Sequence, residues 1–209
     1  GNLATEADNF AYEIGTGLLP GSILSDGATM EIPKGVTTMI DAGAVFKLRG
    51  ARIGVGSSNL SIDRSGGALQ VLGAPVLLDS SGNAQRKSDG TVAAGRVYFT
   101  SWLDESIGLD TYTPTTTPAA GNWGGISFRQ DVDSSAGRHN LESQGIFLQY
   151  INHADIRYGG GTVILDSITQ TVYPIQMIDV RPTITDNLIS RSSSAAMSAA
   201  PNSFEETNF

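Results

Sequence analysis

The chain has 209 residues, of which 40% are hydrophobic, 16% are charged and 25 are glycines, and its formal net charge is −8. This composition supports a folded core rather than wholesale disorder, and the acidic balance argues against the basic surface that nucleic acids and anionic lipids require. The lack of cysteine excludes disulfides, thiolate catalysis and zinc–thiolate sites, and no stretch approaches the ~18 apolar residues of a membrane-spanning helix.

The first 27 residues have the least regular pattern. Thr5 and Asp8 resemble a capping box ahead of several apolar residues, which predicts a short helix over residues 5–14. Glycines and Pro20 then end any helix. We therefore assign residues 1–27 to an irregular N-terminal capping segment.

From residue 28 onward, short apolar–polar alternations follow one another, each ended by turn-forming residues. The predicted strands are 30–32, 36–40, 45–49, 53–55, 60–62, 68–72, 97–102, 123–128, 146–148 with Ile151, 156–158, 162–166, 171–173, 174–179, 180–185 and 188–190. Asn-Gly or Asp-Gly rarely lies at the centre of a two-residue connection, and no 10–15-residue segment in the strand-rich part has a helical period. Short strands with short corners predict a parallel β-helix, in which each strand pairs with its counterpart one coil later.

Three polar stretches, residues 79–95, 103–122 and 130–144, interrupt the strand pattern. They read as loops that leave the coil at a corner, since insertions in repeat folds map to loops. Residues 192–200 are rich in Ser and Ala, and they are predicted either as helix or as a corner loop. We expect residues 28–209 to form one all-β domain.

Four segments in order carry a resemblance to a known family: Ile40–Leu48, Val97–Trp102, Gly121–Ile126 and Pro182–Ile189. They are similar to coils in the right-handed, pectin-lyase-like parallel β-helix repeats of large secreted bacterial surface and adhesin-like proteins. The resemblance implies a single-stranded solenoid located outside the cell or on its surface. Lyases of this fold bind calcium with convergent acidic residues and use an Arg or Lys base on the same outer face, so the resemblance implies such a cluster for an enzymatic member. No matching cluster is visible in the sequence.

Few residue patterns point to catalysis. His153 and Asp155 are a candidate catalytic pair, with His153 as general base and Asp155 as the residue that orients it. Alternate residues of any extended chain lie on the same face, so this spacing alone also fits a structural role. His139 lies in a polar loop. Asp104-Glu105 and Glu205-Glu206 are candidate acid–base pairs for glycoside cleavage, but adjacent strand residues point to opposite faces, which favours solvated acidic loops.

A calcium loop is the one cofactor hypothesis. Asp131 and Asp133 have the spacing that opens some calcium loops, and Glu142 is a candidate distal ligand. The alternative is an ordinary Asp/Ser/Gly turn. The glycines at 54–56 and 159–161 are predicted to be tight corners rather than phosphate loops, because neither group is followed by the required Lys-Ser/Thr.

Other residues have a structural and a functional interpretation. Trp123 and Tyr158 are candidates for stacking on a sugar ring, against the alternative that they fill the core. Asn59-Leu60-Ser61 matches a glycosylation acceptor. Asn187 is predicted to belong to an internal ladder of amides.

The sequence predicts a non-catalytic structural or adhesive segment of a large secreted bacterial surface protein. The alternatives are a polysaccharide-active lyase or hydrolase and a carbohydrate-binding module on an outer face. No catalytic, cofactor-binding or metal-ligating residue is assigned, and an extracellular polysaccharide or protein is the expected partner. Because nothing after Ile189 resembles a cap, we expect the native chain to continue beyond Phe209. The isolated chain is then expected to associate end to end or fray in its last coil.

Overall fold

The computed structural model describes residues 9–15, 29–86, 88, 90, 94–109, 117–138 and 141–200. Besides strands, these residues form one short helix, α1 (Asp131–Ser135), and a 3-10 turn at Glu142–Gln144. The strands in chain order are β1 (Tyr12–Gly15), β2 (Thr29–Glu31), β3 (Thr37–Asp41), β4 (Val45–Arg49), β5 (Arg52–Val55), β6 (Ala68–Leu72), β7 (Ala74–Val76), β8 (Ala94–Gly95), β9 (Val97–Ser101), β10 (Ile126–Arg129), β11 (Tyr150–Asn152), β12 (Ala154–Arg157), β13 (Thr162–Leu165), β14 (Ile168–Thr171), β15 (Ile175–Ile178), β16 (Thr183–Thr185), β17 (Leu188–Ser190) and β18 (Met197–Ala200).

Three sheets contain only parallel pairs. Sheet 1 has the order β1-β4-β9-β12-β17, sheet 2 the order β2-β5-β10-β15-β18, and sheet 3 the order β3-β6-β11-β16. The chain enters sheets 1, 2 and 3 in turn and then returns to sheet 1, and one such passage is called a coil below. Within these three sheets each strand except the last pairs with a strand of the next coil, so the predicted all-β class and parallel pairing are confirmed. The arrangement is compatible with a parallel β-helix.

Alternate side chains of each strand point inward and form apolar rows across the coils. The row in sheet 1 consists of Tyr12, Phe46, Phe99, Ile156 and Ile189. The rows in sheets 2 and 3 are Met30, Ile53, Ile126, Ile175 and Met197, and Ile40, Val71, Ile151 and Ile184. The rings of Tyr12, Phe46 and Phe99 stack at centroid distances of 5.1 and 5.2 Å. Residues in the middle of the rows are fully buried, and each such side chain contributes about 1.5–3 kcal/mol by leaving water.

The corners between strands reuse one backbone conformation. His153 lies alone between β11 and β12 with a φ of 51°, and Asp186, at the same corner one coil later, has a φ of 55°. Tyr158 and Arg191, 33 residues apart, recur in the same way after β12 and β17, with φ of 61° and 55°. A left-handed residue other than glycine costs roughly 1–2 kcal/mol. Because this conformation recurs at the same corners of successive coils, the stacking of the coils determines it rather than the residue type.

Side-chain amides join one coil to the previous one at the corners. The Oδ1 of Asn187 accepts a hydrogen bond from the Ala154 N–H at 2.7 Å, and its Nδ2 donates to the Ile151 carbonyl at 2.8 Å. At a different corner, just before β11, Gln149 forms an equivalent pair of bonds to the previous coil: its Oε1 accepts from the Leu69 N–H at 2.8 Å and its Nε2 donates to the Gly67 carbonyl at 3.0 Å. Asn187 thus bonds backbone groups, whereas the sequence predicted a ladder of amides.

Two antiparallel pairs depart from the predicted coil. β13 and β14 form a hairpin whose turn residues, Asp166 and Ser167, have φ of 49° and 64°. Two consecutive left-handed residues are what a type I′ turn needs. The pair β7–β8 closes the base of the predicted loop at 79–95, since β7 lies just before the loop and β8 lies at its end. Sequence reasoning missed the hairpin because Asp-Ser is a weaker turn signal than Asn-Gly or Asp-Gly.

The β13–β14 hairpin packs back against the coil. Val163, Leu165 and Val172 form a small buried cluster, and a Cβ on Gly124 would lie 3.0 Å from the side chains of Val163 and Val172. Glycine at position 124 therefore allows the hairpin to approach the chain just before β10.

Several local predictions were wrong. Of the helix predicted over residues 5–14, residues 12–14 belong to strand β1, and residues 5–8 lie outside the described part of the chain. Residues 60–62 form a turn because the Oδ1 of Asn59 accepts bonds from the N–H of Ser61 and Ile62. Residues 146–148 are not in a strand, and the loop at 130–144 contains α1 and the 3-10 turn. Residues 197–200 form β18 rather than the helix or corner loop that the sequence left open.

Replacing Asn187 by alanine tests the amide bridge between coils. The Asn187→Ala variant leaves the Ala154 N–H and the Ile151 carbonyl without their partner, and this loss lowers the free energy of unfolding by about 1–3 kcal/mol. Denaturant unfolding measures the difference. The control is Asn83→Ala, in an exposed loop, and it is expected to change stability by less than about 0.5 kcal/mol. Equal effects of the two variants would contradict the bridge.

Candidate functional site

Charged side chains meet on the outer face of sheet 1. Lys47 on β4, Thr100 on β9 and Arg157 on β12 alternate with the inward row, so the pleat directs them outward. The segment at residues 102–109, which follows β9, adds Asp104 and Glu105. Together with Asp155 on β12, these six residues are called the charged cluster below.

Asp104 is the most buried carboxylate of the charged cluster. It accepts hydrogen bonds from the hydroxyl of Thr100 at 2.6 Å and from the N–H and hydroxyl of Ser106 at 3.1 and 2.5 Å. The guanidinium of Arg157 lies 3.8 Å away. A carboxylate with this many hydrogen-bond donors is held in one orientation.

Arg157 binds the second carboxylate of the cluster in a bidentate manner. Its Nε and Nη2 donate to the two oxygens of Asp155 at 3.0 and 2.7 Å. The hydrogen bonds that Arg157 donates to Asp155 raise the pKa of Arg157 although burial opposes the shift, and the negative charges of Asp155 and Asp104 raise it further. The guanidinium also lies 5.8 Å from the centre of the Tyr98 ring. Arg157 is therefore a permanently charged, fixed bridge between two aspartates.

Lys47 is covered by the protein, with 0% of its side chain exposed. Its Nζ lies 3.8 Å from the Oε2 of Glu105, which is 42% exposed. Taking an ammonium group out of water is costly unless an opposite charge lies near it. The Lys47–Glu105 pair thus places a charge contact directly above β4.

Residues 102–109 lie on the outer face of sheet 1 beside the charged cluster, in which Lys47 and Asp104 are buried while Arg157 and Glu105 are partly exposed. Ile107 packs with Val45 and Tyr98 in a small apolar cluster on the same outer face, and Asp104 is buried beside it. The segment is therefore attached to sheet 1 both by apolar contact and by charge. Lys47 and Asp104 are shielded from bulk solvent by this attachment.

Sequence reasoning missed this cluster because its members lie far apart in the chain. Only the register of β4, β9 and β12 brings Lys47, Thr100 and Arg157 together on one face. The available signal was an outward-facing charge in several strands, at positions 47, 155 and 157 among them. It becomes informative only when the coils are aligned.

The predicted pairing of His153 with Asp155 is not present. His153 occupies the corner before β12, and its Nδ1 contacts the side-chain oxygen of Asn152, whereas Asp155 is bound to Arg157. Asp104 and Glu105 likewise have different partners. His139, Glu205 and Glu206 lie outside the described part of the chain.

The predicted calcium ligands also have different partners. Asp131 forms a bidentate pair with Arg129 at 2.9 and 2.7 Å. Asp133 accepts from the N–H and hydroxyl of Ser57 at 3.0 and 2.6 Å and from Arg138 at 3.1 Å. Within the ranges described above, no three His, Asp or Glu side chains are grouped to hold a metal ion.

Glu142 accepts the Arg181 N–H and lines a cavity of about 20 Å³ together with Asp133, Gln130 and Gln149. That volume suits a water molecule rather than an organic substrate. A second, open cavity of about 730 Å³ lies at the first coil, where apolar residues of β1, β2 and β3 line it. Neither cavity is lined by a member of the charged cluster.

The two candidate sugar-stacking residues are buried. Trp123 is 0% exposed, and its Nε1 donates to the Arg157 carbonyl at 2.7 Å. Tyr158 is buried and contacts Arg191. Both rings therefore fill the core, as the alternative interpretation proposed. The side chain of Asn59 bonds Asp166 and its own turn.

Comparison of the chain with family models finds none that matches, and comparisons with curated proteins and with solved structures find no significant match. Among the described residues, no helix has both the length and the apolar character needed to cross a membrane.

Replacing Asp104 by alanine tests how residues 102–109 are held. The Asp104→Ala variant removes the partner of Thr100 and Ser106 and leaves Arg157 with one carboxylate, which lowers the free energy of unfolding by roughly 2–4 kcal/mol. The control, Asp41→Asn, changes an exposed carboxylate outside the charged cluster and is expected to cost less than about 0.5 kcal/mol. Thermal and denaturant unfolding measure both variants. Equal effects of the two variants would contradict the assigned role of Asp104.

Proposed function

We propose that the chain is a non-catalytic structural or adhesive segment of a large secreted bacterial surface protein, built as a right-handed parallel β-helix. The rotation of the chain through three parallel sheets supports the coil architecture. The resemblance of Ile40–Leu48 and Pro182–Ile189 to surface-protein repeats supports the location outside the cell.

One observation favours a structural role over catalysis. Lys47, Asp104 and Asp155 are buried, and the charged residues of the cluster are bound to one another. A general acid or base must lie within hydrogen-bond reach of its substrate, and burial separates Asp104 and Lys47 from solvent. In this arrangement the charges attach a loop to the outer face of the coil.

A polysaccharide-active enzyme is the second candidate, and the charged cluster itself favours it. Asp104 and Asp155 both approach Arg157, while Lys47 lies on a strand of the same sheet. Acidic residues beside an Arg or Lys base on an outer face are the arrangement that the family resemblance implies for lyases. Such activity requires residues 102–109 to move away from sheet 1.

Incubation with acidic and neutral polysaccharides, with and without calcium, separates the two candidates. The structural role predicts no unsaturated products and no new reducing ends, because Lys47 and Asp104 stay buried. Turnover that disappears in both Asp155→Asn and Arg157→Gln, but persists in the control Asp41→Asn, which changes an exposed carboxylate outside the cluster, would overturn the proposal. The folded state of each variant is checked by circular dichroism.

A further inference from the structure

The outer face of sheet 3 is more open than the outer faces of the other two parallel sheets. The outward residues Lys47 and Thr100 on sheet 1, and Arg52 and Ser127 on sheet 2, are buried. On sheet 3 the outward residues of β16 are exposed, and those of β11 are partly exposed. Among the described residues, sheet 3 therefore carries the outer face that is best placed to meet a partner.

The strand register places the outward side chains of β6, β11 and β16 in two rows that cross the strands. The first row is Gln70, Tyr150 and Thr183, and the second row is Leu72, Asn152 and Thr185. We call them the sheet 3 rows. Neighbouring members of one row lie about 4.8 Å apart, which is the spacing of paired strands. A ligand that lies along a row therefore meets a new side chain at each coil.

Hydrogen bonds hold the ring and the amides in the middle of the sheet 3 rows. The Tyr150 hydroxyl donates to the Phe147 carbonyl at 3.1 Å, and the Gln70 amide donates to a main-chain carbonyl at 3.2 Å. The Oδ1 of Asn152 accepts from the Thr185 hydroxyl at 3.1 Å, and its Nδ2 has no partner among the described residues. Groups that are fixed in this way lose little conformational freedom when a ligand binds.

The sheet 3 rows contain no charged side chain. Asp41, on the neighbouring strand β3, lies outside the rows, and just before β16 the Nε of Arg181 lies 3.8 Å from the Oε2 of Glu142. The chain as a whole has a net charge of −8, which repels an acidic polymer. The charge of this face therefore favours a neutral ligand.

The size and shape of the face indicate how extended the ligand is. The three strands have three to five residues each, which at the usual strand spacing and rise gives an area of roughly 200 Å². A stable protein–protein contact buries about 800 Å² on each partner, and small molecules bind in concave pockets. The outer face of a sheet instead fits a narrow, extended chain.

We propose that the sheet 3 rows bind an extended, neutral polysaccharide that crosses the strands, with one sugar unit over each coil. The length of a pyranose unit in an extended β-linked chain is close to the strand spacing of about 4.8 Å. The Tyr150 ring stacks on the apolar face of one sugar, and Gln70, Asn152 and Thr183 form hydrogen bonds with the sugar hydroxyls. The inference deepens the adhesive part of the proposed function and rests on it.

Calorimetric titration with cellohexaose, a neutral β-linked glucan, tests the proposal. Hexagalacturonate is the acidic comparison, and maltohexaose is an α-linked glucan that coils instead of extending. Tyr150→Ala removes the stacking ring, whereas Tyr150→Phe keeps it. The matched control is Tyr173→Ala, because Tyr173 is also partly exposed but lies just before β15 of sheet 2. Circular dichroism checks that each variant folds.

We expect the wild-type chain to bind cellohexaose at least about tenfold more tightly than the other two oligosaccharides. Tyr150→Ala is expected to weaken cellohexaose binding at least about tenfold, through the lost stacking. Tyr150→Phe, which loses one hydrogen bond, should stay within about threefold of wild type, and Tyr173→Ala should bind like wild type.

A second pair of variants keeps the test decisive if Tyr150→Ala does not fold. Thr183→Glu places a bulky charge in the first row, and Thr171→Glu places the same charge on the β13–β14 hairpin. Both threonines are exposed, so neither change is expected to disturb folding. Thr183→Glu should weaken cellohexaose binding at least about tenfold, while Thr171→Glu should leave it unchanged.

Three results would overturn the proposal: no binding of cellohexaose by the wild-type chain up to about 1 mM, tighter binding of hexagalacturonate or maltohexaose, and equal binding by Thr183→Glu and Thr171→Glu. Lack of binding leaves the non-catalytic structural role in place. Polysaccharide turnover in the earlier experiment overturns that role instead, so the two failures are distinguishable.

Discussion

The parallel backbone hydrogen bonds between successive coils are the interaction on which the rest of the structure depends. They set the register that stacks Phe46 on Phe99 and Ile53 on Ile126. A shift of one residue would turn every inward side chain outward. The same register also arranges the outer faces, so core and surface are determined together.

The charged cluster shows how an outer face follows from this register. Lys47, Thr100 and Arg157 are carried outward because the residues beside them in the strands point inward. Buried charges of this kind stabilise a protein only when they are paired and hydrogen-bonded, and removing one partner is costly. The cluster therefore acts as a specific attachment for residues 102–109, and Ile107 adds the apolar part of that attachment.

The pattern of apolar residues ended by turn-forming residues was sufficient to predict most parallel strands, including β4, β6 and β9, because the inward face of each is apolar and buried. It failed where local hydrogen bonds replaced pairing, as in the turn at Asn59, and where Asp166 and Ser167 formed a hairpin. The burial of Trp123 was one of two interpretations that the sequence left open. The charged cluster depended on contacts between residues distant in sequence, which a single chain without aligned coils does not reveal. Corners at His153 and Asp186 were equally hidden, since neither residue type requires a positive φ.

The lack of cysteine permits a direct test of the inter-coil register. Gln70 on β6 pairs with Tyr150 on β11 on the outer face of sheet 3, whereas Asn152 lies two residues further along β11. In the double variant Gln70→Cys/Tyr150→Cys, the two sulfurs are close enough for a disulfide. Mild oxidation should cross-link nearly all molecules, as measured by mass spectrometry of the disulfide-linked peptides after proteolysis. The control Gln70→Cys/Asn152→Cys should remain largely reduced. Equal cross-linking of the two pairs, or none in the first, would contradict the parallel register and with it the coil architecture.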